Sequence, residues 1–231
     1  MQFVQVDVQP YGPMRAEAPA NARSRRTRDA LLTATRELLE EHGFEKLTMA
    51  AVAERAGVSR RAVYLHFRSR SALVAELFDF VTQSEDLAAS TDPVWNAPDA
   101  LTALDRWAHH VAGFQPRLLA LTRAVEHVHR SDPDAAAHRR RYLREQLDAC
   151  RKLARWLDDE HALAAPWTVG TASEMLWGLI STDLLERLLH ERRWSRAKLA
   201  DHLALLMRST LVSQEAGAAR GSADQPAKIQ S

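Results

Sequence analysis

The side chains whose types and spacing could do chemistry lie close together in the stretch 48–67. Thr48 and Ser59 each stand where a helix can begin, because a hydroxyl oxygen can accept a hydrogen bond from the first backbone N–H groups. Gly57 lies between the two short helices, and glycine permits the left-handed backbone that a sharp turn needs. This spacing predicts a helix-turn-helix. Its inward side is predicted to hold Val52, Ala53, Ala56 and Val63.

The outward side of the second short helix carries Arg60, Arg61, Tyr64 and Leu65. At about 100° per residue these four share an arc of about 140°. A guanidinium group matches the two hydrogen-bond acceptors of guanine, and a helix N-terminus favours a nearby phosphate. The arc therefore indicates a helix that reads the major groove of DNA. The alternative is an ordinary helical hairpin with a charged, solvated face.

Charge is spread unevenly along a chain whose net charge is only +1. Residues 22–70 hold 11 Lys and Arg against 6 Asp and Glu, which leaves 20 against 24 in the remainder of the 31 basic and 30 acidic residues. A basic first third joined to an acidic remainder favours a small anion-binding domain carried by a larger one. A fluctuation in a charge-rich protein is the alternative.

Residues of about 24–80 resemble the DNA-binding domain of TetR family transcriptional regulators. The matching residues are Gly43, Phe44, Thr48, Ala53, Gly57, Val58, Ser59, Tyr64, His66, Phe67 and Leu73. The resemblance implies a homodimeric regulator, most often a repressor, that binds a palindromic operator in double-stranded DNA and is released by a small molecule. The chain departs from the family pattern twice: Arg61 replaces a commonly small residue, and Arg70 stands where lysine is usual.

The resemblance also implies roles for individual side chains. Thr48, Tyr64 and His66 would touch phosphates, and residues 60, 61, 62 and 65 would face bases. The full predicted contact set is Arg25, Arg28, Thr48, Ser59, Arg60, Arg61, Ala62, Tyr64, Leu65, His66 and Arg70. Three alternatives stay open. Arg61 reads a base or holds the backbone, His66 contacts phosphate or packs on Phe67, and the basic run 23–28 contacts DNA or is merely solvated.

Glycine and proline are sparse after residue 22, and apolar residues recur three and four positions apart, which predicts an all-α chain. Helices are expected at about 24–42, at two short segments in 48–67, from 71, and at about 98–114, 116–130, 133–160, 166–192 and 195–214. The expected organisation is a flexible extension (1–22), a three-helix helix-turn-helix domain (23–70), a larger helical ligand-binding and dimerisation domain (71–215) and a disordered tail (216–231).

In the larger domain the resemblance is to fold only. Bulky aromatic side chains commonly line apolar pockets, but they also fill ordinary cores, and both readings stay open here. The candidate ligand-binding residues are Trp107, His110, Phe114, Trp156 and Trp177. The helices at about 166–192 and 195–214 each carry an apolar stripe, which predicts a dimer interface or, alternatively, burial within one chain.

Several classes of function lack support in the sequence. It contains no glycine-rich phosphate loop, no nucleophile elbow and no metal-spaced set of Cys and His, so no enzyme, cofactor or metal is expected. The pairs at 109–110 and 127–129 point their histidines in different directions on a helix. Cys150, the one cysteine, lies in an apolar stripe and is expected to fill the core. With no leader-like or membrane-spanning segment, we expect a cytoplasmic protein.

Overall fold

The secondary structure is helical throughout the part of the chain that the computed structural model describes, residues 22–84, 87–130 and 133–216. Within these ranges there is no strand, only an isolated bridge between Leu163 and Val212. The prediction of an all-α fold is confirmed. The expected extension and tail fall almost entirely outside the described residues. None of the helices described is both long enough and apolar enough to cross a membrane.

The chain divides into two compact units, with the boundary between the fourth and fifth helices. The first unit consists of α1 (Ala22–His42), α2 (Met49–Arg55), α3 (Arg60–His66) and α4 (Arg70–Ser84), with a 3₁₀ turn at Phe44–Lys46. Helix α4 therefore groups with the first unit, whereas the predicted boundary at residue 70 put most of it in the ligand-binding and dimerisation domain (71–215). The reason is packing: α4 lies against α1, and its buried residues Leu73, Leu77 and Phe78 face inward.

Two glycines set the ends of helices in the first unit. Gly43 has φ 72° and donates its N–H to the Leu39 carbonyl, which closes α1. Gly57 has φ 67°, donates to the Glu54 carbonyl at 3.1 Å, and is followed by Val58, which donates to the Ala53 carbonyl at 2.9 Å. These paired bonds form a Schellman motif, which satisfies the last carbonyls of α2 while the chain turns.

The second unit has a core shared by its longer helices. Its elements are α5 (Leu87–Trp95), α6 (Ala100–Phe114), α7 (Leu119–Val128), α8 (Pro133–Asp159), α9 (Val169–Leu179), α10 (Thr182–Glu186), a π-helical turn (Arg187–Glu191) and α11 (Arg196–Leu211). Helix α6 is buried over most of its length and packs against α5, α8 and α11. Its residues form one apolar cluster with those of α8, α9 and α11.

The single helix expected at about 166–192 is interrupted. Helix α9 begins at Val169, where the Thr168 side chain accepts from the backbone N–H of Thr171 at 3.2 Å. It ends at Leu179, and Ser181 has an extended backbone conformation before α10 starts. Sequence periodicity could not show this break, because apolar residues continue at helical spacing across it. Ser181 is nevertheless a residue type that favours the start of a new helix.

The expected apolar stripes of the C-terminal helices are partly buried within one chain. Leu176 and Ile180, near the end of α9, are buried. On α11 the buried residues are Leu199, Leu203, Met207 and Leu211. These residues are covered within one chain because α11 packs along α6, whereas Leu179, Leu184 and Leu188 are only half-buried, so the predicted dimer interface stays a prediction. Three large apolar side chains of these helices remain exposed, namely Met175, Leu205 and Leu206.

Gly57 and Gly113 give a matched test of the turn. A Cβ atom added at either position meets no atom within 4 Å, so the two sites differ in backbone conformation and not in available space. We expect Gly57→Ala to lower the free energy of unfolding by about 1–2 kcal/mol because of its positive φ. We expect Gly113→Ala, inside α6, to raise it by about 0.5–1 kcal/mol. Denaturation followed by circular dichroism measures both; a neutral Gly57→Ala would show that the turn imposes no backbone requirement.

Candidate nucleic-acid interface

Helices α2 and α3 are each capped by a hydroxyl side chain. Thr48 accepts from the Ala51 N–H at 3.0 Å, and Ser59 accepts from the Ala62 N–H at 3.2 Å. Val63 of α3 is fully buried, as is Val52 of α2. These contacts confirm the expected helix-turn-helix. They also mean that the hydroxyl groups of Thr48 and Ser59 already bond the backbone, so any contact of theirs with phosphate would be an additional one.

The outward face of α3 is open to solvent along its whole length. Arg60 and Arg61 are exposed at its first turn, and Tyr64 and Leu65 follow with 49% and 77% of their surface accessible. Exposure of a leucine to this degree, beside a tyrosine and two arginines, gives one short helix both apolar and cationic groups on the same side. Ala62 lies between the two faces and is half-buried. The arc expected from the sequence is therefore present as a continuous surface.

Arg70 at the start of α4 is engaged within the protein. Its guanidinium donates to the Leu47 carbonyl at 3.1 Å and lies over the Phe44 ring, 4.0 Å from the ring centroid. Leu47 immediately precedes the capping residue Thr48. Arg70 thus holds the segment that leads into α2. This geometry does not test the predicted contact between Arg70 and a phosphate.

His66, the last residue of α3, is half-buried and lies beside Phe67, with ring centroids 6.2 Å apart. Burial lowers the pKa of His66, and the positive charge of Arg28 lowers it further. A neutral imidazole can still donate one hydrogen bond to a phosphate. It does not, however, contribute a full charge at neutral pH.

The basic run at the start of α1 divides between two faces of the helix. Arg28 points to α4, where it forms an ion pair with Glu76. Arg25 is exposed. Arg23 and Arg26 line a shallow groove of about 380 Å³ together with Val58 of the helix-turn-helix. The contacts predicted from this run were Arg25 and Arg28, and they do not include the groove. Helical spacing could have indicated it, since positions 23, 26, 27 and 30 share one side of α1.

Arg55 was not singled out in the sequence, yet it ties α2 to α1. Its guanidinium donates to both carboxylate oxygens of Glu41, at 2.9 and 2.7 Å, and to Glu37 at 3.2 Å. Hydrogen bonding to Arg55 lowers the pKa of Glu41. Both groups lie at the surface, so this contact fixes orientation more than it adds stability.

The candidate ligand residues of the second unit are brought together only in part. Three of them are buried and follow one another along α6, namely Trp107, His110 and Phe114. Trp156 is half-buried on α8 and donates its indole N–H to Glu160 at 2.7 Å. Trp177 is half-buried on α9. In the described ranges no ring contact joins Trp156 or Trp177 to the α6 rings, so the five residues do not form one lining.

A family model described as bacterial regulatory proteins of the tetR family matches residues 31–77. The match runs from α1 through both helices of the helix-turn-helix into α4. Residues 31–77 belong to the tetR family. The TetR signature thus lies on the elements that place Arg60, Arg61, Tyr64 and Leu65 at the surface.

Curated relatives match part of this chain. A nucleoid occlusion factor, SlmA of Alteromonas mediterranea, is 31% identical over 99 residues, which are 42% of this chain and 50% of that protein. The regulator TtgR of Pseudomonas putida, described as HTH-type, is 35% identical over 60 residues, 26% of this chain and 29% of that protein. The chain therefore spans half or less of the length of these relatives.

Solved structures show the same fold over most of the chain. NalD of Pseudomonas aeruginosa, a secondary repressor of a multidrug efflux pump, has a TM-score of 0.65 at 23% identity and covers 83% of this chain and 98% of its own. A transcriptional regulator from Saccharomonospora viridis in complex with choline has a TM-score of 0.71 at 15% identity, with 82% and 100% covered. At these identities the likeness shows the TetR fold alone.

The position of Arg70 generates a test of its role. We expect Arg70→Lys, which keeps the charge, to lower the free energy of unfolding by about 1–2 kcal/mol, because an ammonium group does not reproduce the planar stacking on Phe44 together with the bond to Leu47. Arg61→Lys on the exposed face is the control and should leave stability unchanged. Thermal unfolding measures both. Wild-type stability in Arg70→Lys, with weaker DNA binding, would instead make Arg70 a phosphate contact alone.

Proposed function

We propose that this protein is a sequence-specific DNA-binding transcriptional regulator, acting as a ligand-released repressor that binds a palindromic operator as a homodimer. The single observation that carries the proposal is the exposed arc of α3, whose opposite face is buried at Val63. A helix of this kind can enter the major groove with its first turn against base edges. A protein that binds operator DNA would be located in the cytoplasm.

In this proposal the exposed side of α3 recognises the bases. Arg60 and Arg61 are exposed and can each offer a fork of donors to a guanine, and Leu65 can contact a thymine methyl group. Tyr64 and His66 would meet the sugar-phosphate backbone at the edge of the groove. The hydroxyl-capped starts of α2 and α3 would bring Thr48 and Ser59 near the same backbone, and Ala62 would face the bases.

Phosphate contacts would extend to α1. Exposed Arg25, together with Arg23 and Arg26 beside the groove at Val58, is better placed for them than Arg28, whose charge is balanced by Glu76. Each arginine that neutralises a phosphate releases counterions, so these residues set the salt dependence of binding and carry little sequence information.

The dimer in this proposal uses the apolar side chains that intramolecular packing leaves exposed. Met175 on α9 is 41% accessible, and Leu205 and Leu206 on α11 are 66% and 44% accessible. Helices α9 and α11 contact each other, so these residues belong to neighbouring elements. A two-fold axis through such a surface would present two α3 helices to successive turns of a palindrome.

The effector in this proposal binds in the second unit, where Trp107, His110 and Phe114 are candidate contacts. A ligand that binds one conformation better than another shifts the population toward it. Footprinting on DNA upstream of this gene and its neighbours, repeated with candidate small molecules, tests the whole scheme. Protection that is absent, or that covers random DNA equally, would contradict it.

The base-reading role of Arg60 can be separated from backbone binding. We expect Arg60→Ala to weaken operator binding by about 1–3 kcal/mol and to change binding to random DNA little. Arg25→Ala, as the matched control, should weaken both and reduce the salt slope, because it removes a phosphate contact. Fluorescence anisotropy across a salt series measures both. Equal losses on the two DNAs for Arg60→Ala would contradict the assignment.

The proposed dimer surface is tested by placing charge on it. We expect the double variant Leu205→Lys, Leu206→Lys to sediment at the mass of one 26.0 kDa chain and to bind operator weakly. Both side chains are exposed, so the fold of the chain should survive, which circular dichroism checks. Ala137→Lys, at an exposed alanine of α8, controls for added charge. A double variant that remains dimeric would exclude this surface.

A further inference from the structure

Four aromatic rings lie in series along α5 and α6. The ring centroids of Trp95 and Trp107 are 6.1 Å apart, those of Trp107 and His110 are 5.2 Å apart, and those of His110 and Phe114 are 5.6 Å apart. The last pair is stacked, with an angle of 17° between the ring planes. Trp95 is half-buried, whereas the other three rings are buried. The series therefore leads from a partly accessible ring into the apolar core of the second unit.

Among the described residues, the indole N–H of Trp107 has no hydrogen-bond acceptor. Only 3% of the Trp107 surface is accessible, and Nε1 itself is buried. Leaving a buried donor unpaired costs about 1–3 kcal/mol, and native proteins do so rarely. An indole nitrogen can only donate a hydrogen bond, so only an acceptor can satisfy it. An acceptor that arrives with a ligand would recover this energy on binding.

The polar group next to Trp107 carries no charge at neutral pH. His110 Nδ1 lies 2.7 Å from the Ser90 hydroxyl oxygen, and burial lowers the pKa of His110 to about 4. At the outer end of the series the Lys152 ammonium lies 4.1 Å from the centroid of the Trp95 ring. The Lys152 ammonium thus already occupies the face of the Trp95 ring that would attract a cationic ligand. A carboxylate placed deep among neutral rings would lose its hydration without a paired charge.

We propose that the effector of this protein is a flat, uncharged aromatic molecule with a carbonyl-type oxygen, which accepts a hydrogen bond from Trp107 Nε1 and packs against the rings of His110 and Phe114. This inference rests on the proposed ligand-responsive function and specifies the chemistry of its ligand. Ring packing supplies most of the binding energy, and the single donor selects ligands that carry an acceptor.

The indole N–H group of Trp107 is itself the reporter. The full-length chain, labelled with ¹⁵N-tryptophan, gives one indole signal for each of its six tryptophans, and Trp107→Phe identifies the relevant one. Without ligand, this proton should resonate upfield of the indole of Trp156, which is bonded to Glu160. Acetophenone should move the Trp107 signal downfield. Its isostere α-methylstyrene, which lacks the acceptor oxygen, should cause little movement.

Binding constants from the same titrations test the assignment. Trp107→Phe should weaken acetophenone binding by about three- to tenfold, the loss of one hydrogen bond, and leave α-methylstyrene binding unchanged. Trp156→Phe is the matched control and should change neither. Benzoate and phenyltrimethylammonium should bind more weakly than acetophenone, because each must bury a charge.

Three results would overturn the proposal. The first is a Trp107 signal that is already downfield without ligand, as a trapped water would cause. The second is no movement of that signal with acetophenone, and the third is tighter binding of benzoate or phenyltrimethylammonium. Operator binding is measured on the same samples without any probe, so failure of the effector chemistry is distinguished from failure of the proposed regulatory function.

Discussion

The backbone at Gly57 adopts a left-handed conformation, and the direction in which α3 leaves α2 follows from it. The two bonds of the Schellman motif close α2 at this point, and Ser59 begins α3 two residues later. Val63 can then reach the core of the first unit, which turns Arg60, Arg61 and Leu65 to solvent. A residue with a Cβ atom would strain this turn, so the exposed arc depends on one glycine.

Charged side chains around the helix-turn-helix serve mainly to hold it. Arg55 joins α2 to α1, Arg28 joins α1 to α4, and Arg70 joins α4 to the segment before α2. Each of these arginines spans two elements of the first unit. The arginines that remain exposed, such as Arg60 and Arg25, are those that a polyanion could recruit. The excess of positive charge in this region is thus divided between internal contacts and a surface able to bind DNA.

The apolar residues of the second unit are likewise divided between its interior and its surface. Most leucines of α11 are covered by α6, which leaves Leu205 and Leu206 on the opposite side. Within the core, the buried rings on α6 include one unpaired donor, at Trp107. Cys150 lies in the same apolar cluster, and burial raises the pKa of its thiol to about 12, in keeping with a packing role. Among its described residues the unit therefore combines an apolar core with a buried donor, on Trp107, that finds no acceptor.

The sequence by itself determined the helical fold, both helix caps, the glycine turn and the outward arc of α3, because each depends on contacts between residues a few positions apart. Only the tertiary structure decided which arginines are free. Arg28 and Arg70 have their partners Glu76 and Leu47 at distant positions in the chain. Helical periodicity could not tell a stripe that packs on α6 from one that faces solvent, since both have the same spacing. Nor could it reveal the unpaired donor of Trp107, because whether a buried group finds an acceptor is settled by three-dimensional packing.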